Sequence, residues 1–194
     1  MRKISLFCAV LLMSAALFGC GGGKDQPGGS QGGQEVSYKD ALDVLNQVLA
    51  VYGEEDRFAM YGGDQENAVM DAPGKFDISK TEELKMNLGL PESQIASVDD
   101  AASMIHMMNA NTFTGAAYHL KDGTDLDAFA EEVKTNILNT QWICGFPDTL
   151  LIINAGGGYV ITAYGQGDIM ESFKTKVQSA LEGSEVMVEV PIAS

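Results

Sequence analysis

Hydrophobic and polar positions change period several times along this chain, and each change predicts an element. After Met1-Arg2-Lys3, residues 4–18 (ISLFCAVLLMSAALF) carry no charge. A basic start, an apolar run of this length and small residues near its end predict a secretory signal. The run is shorter than the roughly 20 apolar residues that span a bilayer core. Residues 21–35 (GGGKDQPGGSQGGQE) then hold seven glycines, one proline and almost nothing apolar. Such a segment buries too little to offset the entropy of ordering, so it predicts a flexible tether with a span of about 20 Å.

From residue 36 the helical period appears. Ala41, Leu42, Leu45, Val48, Leu49 and Tyr52 recur at three- and four-residue spacing behind a capping-box variant at residues 37–40, and Gly53 stops the run. Residues 54–77 give the weakest pattern. There Arg57, Phe58, Met60 and Tyr61 can extend a helix, while Gly62-Gly63 and Pro73-Gly74 mark turns. Ser79-Lys80-Thr81-Glu82 reads as a capping box for a short helix ended by Gly89 before Pro91, and Ser97-Val98-Asp99-Asp100 as the opening of another towards Met108.

The period then shortens to that of strands. Residues 112–120 (TFTGAAYHL) read as a strand, and residues 121–124 as a turn capping a helix that buries Leu126, Phe129, Ala130, Val133 and Ile137. Residues 149–155 (TLLIINA) and 159–165 (YVITAYG), split by Gly156-Gly157-Gly158, predict a hairpin. Asp168 is the expected cap of a last helix carrying Ile169, Phe173, Val177 and Leu181, and residues 185–191 (EVMVEVP) read as an edge strand ended by Pro191. The fold class is α+β: N-terminal helices packed with a C-terminal β-α-β-β-α unit, on one face of a small antiparallel sheet. The domains expected are a signal peptide (1–19), a lipidated cysteine with its Gly-rich tether (20–35) and a single acidic α+β domain (36–194).

Leu17-Phe18-Gly19-Cys20 resembles the lipobox of bacterial lipoproteins; Phe18 is bulkier than usual at its position. The resemblance implies that Cys20 receives a diacylglycerol and palmitate-type acyl chains, and becomes the first residue after cleavage. It also implies that the protein sits on the extracytoplasmic face of the cell membrane. Several acyl chains on one residue anchor firmly, each buried methylene adding about 0.8 kcal/mol. The order and apolar pattern of residues 116–138 and 150–165 are similar to small lipoproteins of Gram-positive anaerobes that carry a domain of unknown function. Some relatives of these are labelled bacteriocin transport accessory protein. This second resemblance implies fold and address and carries no catalytic residue.

Composition narrows the partners. Removing Arg2 and Lys3 with the signal from 12 basic residues leaves 10 against 27 acidic, a net of −17. Phosphate binding needs clustered cations, so nucleic acid is excluded as a partner. Cys8 leaves with the signal and Cys20 is acylated, so Cys144 remains alone and no disulfide forms within the domain.

Four motifs invite chemistry. In SMIHMMN (103–109), a helix would put Met104, Met107 and Met108 on one face and His106 away from it, so these methionines read as core filler and no metal is expected. QWICGFPD (141–148) has an aromatic residue, Cys144-Gly145 and a proline, but no second cysteine. Its cysteine is expected to lie partly buried among Trp142, Ile143 and Phe146. The glycines at 156–158 lie between strands rather than before a helix, which makes a turn and not a phosphate cradle. GGDQEN (62–67) lacks the spacing and closing glutamate of a calcium loop, and His119 has no second base placed by sequence. No catalytic residue, cofactor or metal is assigned. The function expected is a binding or accessory module for a small molecule, peptide or envelope protein. Its groove would lie between sheet and early helices, with Trp142, Tyr118 and Tyr159 as candidate contacts. The alternative is a thiol-dependent or redox enzyme using Cys144.

Overall fold

A run of three left-handed glycines makes a tight turn between two strands. Gly156, Gly157 and Gly158 have φ of 84°, 60° and 84°, a region that side chains with a Cβ seldom enter. They join β6 (Thr149–Gly156) to β7 (Tyr159–Gly165) as the expected hairpin. The computed structural model describes residues 37–193; Cys20, the tether and the signal-like run lie outside the described residues. Among the described residues no helix is long and apolar enough to cross a membrane.

The chain builds α1 (Ala41–Ala50), β1 (Met60–Gly62), β2 (Val69–Met70), β3 (Gly74–Phe76), α2 (Thr81–Leu88), α3 (Glu92–Ile95) and β4 (Val98–His106). It continues with β5 (Phe113–Leu120), α4 (Leu126–Leu138), β6, β7, α5 (Gly167–Ala180) and β8 (Glu185–Pro191). The eight strands form one sheet in the order β2-β1-β4-β5-β7-β6-β8, with β3 also on β4, and every pairing is antiparallel. The class is α+β, as expected from the sequence.

Helices cover both faces of this sheet rather than one. Along β7 every residue is buried, and along β5 all but His119, so neither face of the sheet's centre can meet water. On one face α1 and α5 bury Val44, Leu45, Val48, Phe173 and Val177 against Ala102, Ala117, Ile153 and Ile161. On the other, α2 and α4 bury Leu84, Leu88, Phe129, Val133 and Ile137 against Ala116, Tyr118, Ile152 and Val160. The connections explain this division. β5 and β6 both lie antiparallel to β7, so α4 is a crossover between parallel strands; β7 and β8 both flank β6, so α5 is another. Both step in the same direction but leave strands of opposite sense. The right-handed rule for crossovers then requires opposite faces, and the helices occupy them.

Residues 98–106 form a strand where the sequence pattern predicts a helix. The reason is burial on both faces: Val98, Ala101, Ala102, Ser103, Met104 and His106 are all buried, which removes the alternation that marks a strand. Alanine favours helices locally, yet here its small side chain lets helices approach the sheet from either side. Residues 54–77 likewise hold β1, β2 and β3, with no continuation of α1.

The caps differ from expectation, and two of them draw on carboxylates distant in sequence, Asp100 and Asp148. Asp40, not Ser37, caps α1 by accepting from Asp43 N at 2.8 Å, and Asp100 accepts from Ala41 N at 2.7 Å. α5 takes its acceptor from Asp148, which receives Gly167 N at 3.1 Å, while Asp168 lies inside the first turn. Asp125 caps α4 through Ala128 N, and the α2 cap has no side-chain bond.

The short strands β1 to β3 are held by a buried carboxylate. Asp64, whose side chain is fully buried, accepts from Lys80 Nζ at 2.6 Å, from Asn67 Nδ2 on both oxygens, and from the backbone N–H groups of Glu66 and Asp77. These bonds tie the β1–β2 turn to the segment between β3 and α2. Beside them β1 and β3 approach so closely that a Cβ on Gly62 would stand 2.0 Å from Gly74 N. Only glycine fits there. Burial pushes the Asp64 carboxyl up, but the bonds from Lys80, Asn67, Asp77 and Glu66 outweigh it and hold the group well below the usual carboxylate range.

A depressed carboxylate contributes stability that is present above its unfolded value of about 3.9 and is lost as pH falls through the folded value. Asp64→Ala is therefore expected to cost about 3–5 kcal/mol in urea unfolding at pH 7, the usual result of removing one partner of a buried pair. The gap between the wild type and the variant should shrink below about pH 4. A gap unchanged between pH 7 and pH 3 would contradict this account.

Candidate functional site

The three aromatic residues singled out from the sequence do not converge. Tyr118 pairs with Val160 across β5 and β7, so Tyr159, one residue earlier, points to the opposite face of the sheet. Tyr118 is fully buried beneath α4, its ring centroid 6.1 Å from that of Phe129, and no ligand can touch it. Tyr159 lies under α1, edge-on to Tyr38 at 5.4 Å and 4.7 Å from the His119 ring. Trp142 is half-buried in the α4–β6 connection, 5.2 Å from Tyr164, with its buried indole N–H unpartnered. The expected groove between sheet and early helices is filled by Ala41, Val44, Leu45 and Val48 of α1.

The methionine–histidine motif is a strand end. Met104 is in the core, while Met107 and Met108 are exposed beyond β4. His106 accepts from Met108 N at 2.9 Å through Nδ1 and stacks on Phe58 at 5.0 Å with the rings 6° from parallel. Burial lowers its pKa below the ordinary imidazole value, which favours the neutral ring. Among the described residues no group of His, Cys, Asp and Glu is arranged to hold a metal.

Cys144 is exposed, contrary to the partial burial expected among its neighbours. Ile143 is 88% exposed and Phe146 58%, so the apolar residues that would have covered the thiol are themselves in solvent. The loop is held instead at its base, where Pro147 is buried and Trp142 packs on Tyr164. Among the described residues the thiol makes no hydrogen bond, and no histidine stands beside it to act as its base.

Two ends of the sheet carry different chemistry. Where the chain enters, Tyr38 donates its hydroxyl to Ala155 O at 2.8 Å, close to the starts of β4 and β7. His119 Nδ1 lies 2.5 Å from Asp99, and Lys75 lies 3.2 Å from Asp100. Burial raises the Tyr159 pKa, and the carboxylates of Asp100, Asp40, Asp99 and Asp43 add to it. Sequence reasoning missed this cluster because twenty residues separate His119 from Asp99 and only the β4–β5 register joins them. Beside it a cavity of about 470 Å³ is lined by Asp64, Asp77, Asp99 and Asp100. Each of those carboxylates already has a partner: Lys80, Ser79 N, His119, and Lys75 with Ala41 N respectively. The cluster is an internally satisfied network.

The other end carries the exposed apolar side chains, beside the carboxylates of Asp148 and Asp168 at the start of α5. β4 finishes at His106 and passes to Met107 and Met108; α4 finishes at Leu138 and leads into the loop bearing Ile143 and Phe146. Met86 lies in the last turn of α2, where Asn87 O accepts from the hydroxyl of Tyr164, one residue before the end of β7. Val69 and Met70 stand on β2 opposite Gly62 and Tyr61, beside Ile105 near the end of β4. Val51 follows α1, which starts at the acidic end and whose next residue, Tyr52, meets Phe58 and through it His106. All nine large apolar side chains exposed among the described residues therefore lie towards one end of the sheet. Scattered exposure of this kind needs no explanation, but concentration does.

No protein-family model, no curated protein and no solved structure matches the chain, so its functional reading rests on its own residues.

The exposed thiol gives a direct check. Ellman's reagent should titrate Cys144 in the native full-length protein as fast as in urea, the signal being the difference from Cys144→Ser. That variant should leave the urea midpoint unchanged, because the side chain is exposed. A thiol that reacted only after unfolding would contradict the exposed loop.

Proposed function

We propose that this protein is a lipid-anchored binding or accessory module on the extracytoplasmic face of the cell membrane, which docks an envelope protein through its apolar end. The observation that carries the binding role is the gathering of the exposed apolar side chains at the end of the sheet opposite the chain's entry. The lipobox residues Leu17-Phe18-Gly19-Cys20 support the address, with Cys20 as the acylated residue.

The chemistry of that end suits a protein as its occupant. Everything before residue 37 joins at the acidic end, and β4, with nine residues, spans roughly 30 Å towards the other. Residues 135–147 carry no charge, in a chain of net charge −15, so this loop is where an apolar partner meets least desolvation cost. Four of the nine exposed side chains are methionines, whose flexible thioethers adapt to a partner's surface. Cys144 belongs to the same surface.

Two measurements test the two halves of the proposal. Cys20→Ala should abolish incorporation of a labelled fatty acid; continued labelling would refute the anchor. A photocrosslinking residue in place of Phe146 should give a discrete protein adduct in living cells, and the same group in place of Asp122, in the turn at the acidic end, should not. Equal adducts from both positions, or none from Phe146, would refute the docking end.

A further inference from the structure

We propose that the channel between α4 and the edge strand β8 is a binding site for an extended basic peptide segment. The inference deepens the binding-module reading and rests on it, but it needs neither the lipid anchor nor the apolar end.

β8 is the last strand of the sheet, and among the described residues no strand pairs with its outer side. Its two halves are treated differently. Towards the C-terminus the edge is blunted: Glu189 is held by Lys174 at 2.7 Å, and Pro191 has no N–H to offer. Residues 185–188 carry neither device. They form one wall of a cavity of about 500 Å³, and the other wall is α4. The helix contributes Leu126, Ala130 and Lys134 from one row and Asp127 and Glu131 from the next, each row at four-residue spacing. A helix beside an open strand edge is the geometry in which an extended peptide can add as a further strand. Backbone pairing then supplies affinity, and alternate side chains fill the groove.

The lining selects the peptide. Leu126, Ala130, Met187 and Val188 give an apolar floor, and Asp127, Glu131 and Glu185 an acidic rim. The single cation, Lys134, is already held by Glu131, so the site keeps a net charge of −2. Three carboxylates against one ammonium favour lysine or arginine in the guest and repel an acidic one. A register shift opposite Ile152 and Ile153 falls between Val188 and Val186, within the open half of the strand. Bulges of this kind re-aim side chains at sheet edges next to binding sites.

The test uses full-length protein in detergent and two capped hexapeptides, alternating valine with lysine or valine with glutamate. The lysine peptide should slow amide hydrogen exchange in residues 185–188 and bind about tenfold or more tightly than the glutamate peptide. Glu131→Lys, an exposed change, should remove that preference, while Asp122→Lys, equal in charge but outside the channel, should keep it. The proposal is overturned if the lysine peptide shows no preference. It is also overturned if protection falls at Asp99 and Asp100 instead, or if both variants lose binding alike, which would indicate attraction to net charge only. Failure of the Phe146 crosslink would refute the docking end and leave this result standing; failure here would leave the docking end standing.

Discussion

The constraint on which the rest depends is that the centre of the sheet must be dry on both faces. β5 and β7 bury nearly every residue, so helices have to cover the sheet from both sides, and the two crossovers achieve this by leaving strands of opposite direction. Close approach of helices to a sheet needs small side chains, and Ala101, Ala102, Ala116 and Ala117 supply them at the middle of β4 and β5. A sheet so enclosed cannot bind anything on its faces. Its ends and its edges remain open.

The same constraint explains why the fold was only half legible. The second half of the chain could be read because its elements keep separate periods: Leu126, Phe129, Ala130, Val133 and Ile137 mark one helical face, and the glycines at 156–158 punctuate two β-branched runs. Residues 98–106 could not be read. With both faces buried, the strand loses its alternation, and its alanines and methionines look helical. β1 to β3 have two or three residues each, too few to show any period, and they exist because β4 offers an edge. The candidate site was less legible still. Tyr118 and Tyr159 read in the sequence as aromatics in strands, but which face each takes depends on register, and register comes from pairing. Apolar neighbours in sequence imply cover for Cys144, but Ile143 and Phe146 are exposed along with it.

In the absence of a disulfide within the described residues, the weakest part of the sheet is secured electrostatically. Three strands of two or three residues cannot bury enough surface to hold themselves in place, and a hairpin of that size is marginal at best. Asp64 replaces packing with direction. Its carboxylate is committed to five groups spread over residues 66–80, so the turn, β3 and the approach to α2 fit only in one arrangement. The glycine contact between Gly62 and Gly74 depends on the same arrangement, because the backbones meet with no side chain between them. A buried ion pair need not add net stability over a hydrophobic equivalent, but losing one half of it is costly. Its contribution here is a unique register for strands too short to choose one.

With the faces closed and the short strands locked, the exposed apolar side chains are gathered towards one end of the sheet axis. The chain enters at the end where Asp40, Asp43, Asp99 and Asp100 gather around Tyr159, and their bonds are spent on helix capping and on Lys75 and His119. That end is stable as it stands. The opposite end leaves Ile143, Met86 and Phe146 largely in water, at a cost of the order of 25 cal/mol for each Å² left unburied. Neutral, exposed and apolar side chains stabilise neither the monomer nor its solubility, so the fold itself supplies no reason to keep them. The proposed docking role supplies one, because burying them on association recovers the free energy that the isolated domain forgoes. The acidic remainder of the surface then limits which contacts form, leaving the neutral loop between α4 and β6 as the place where approach is least opposed.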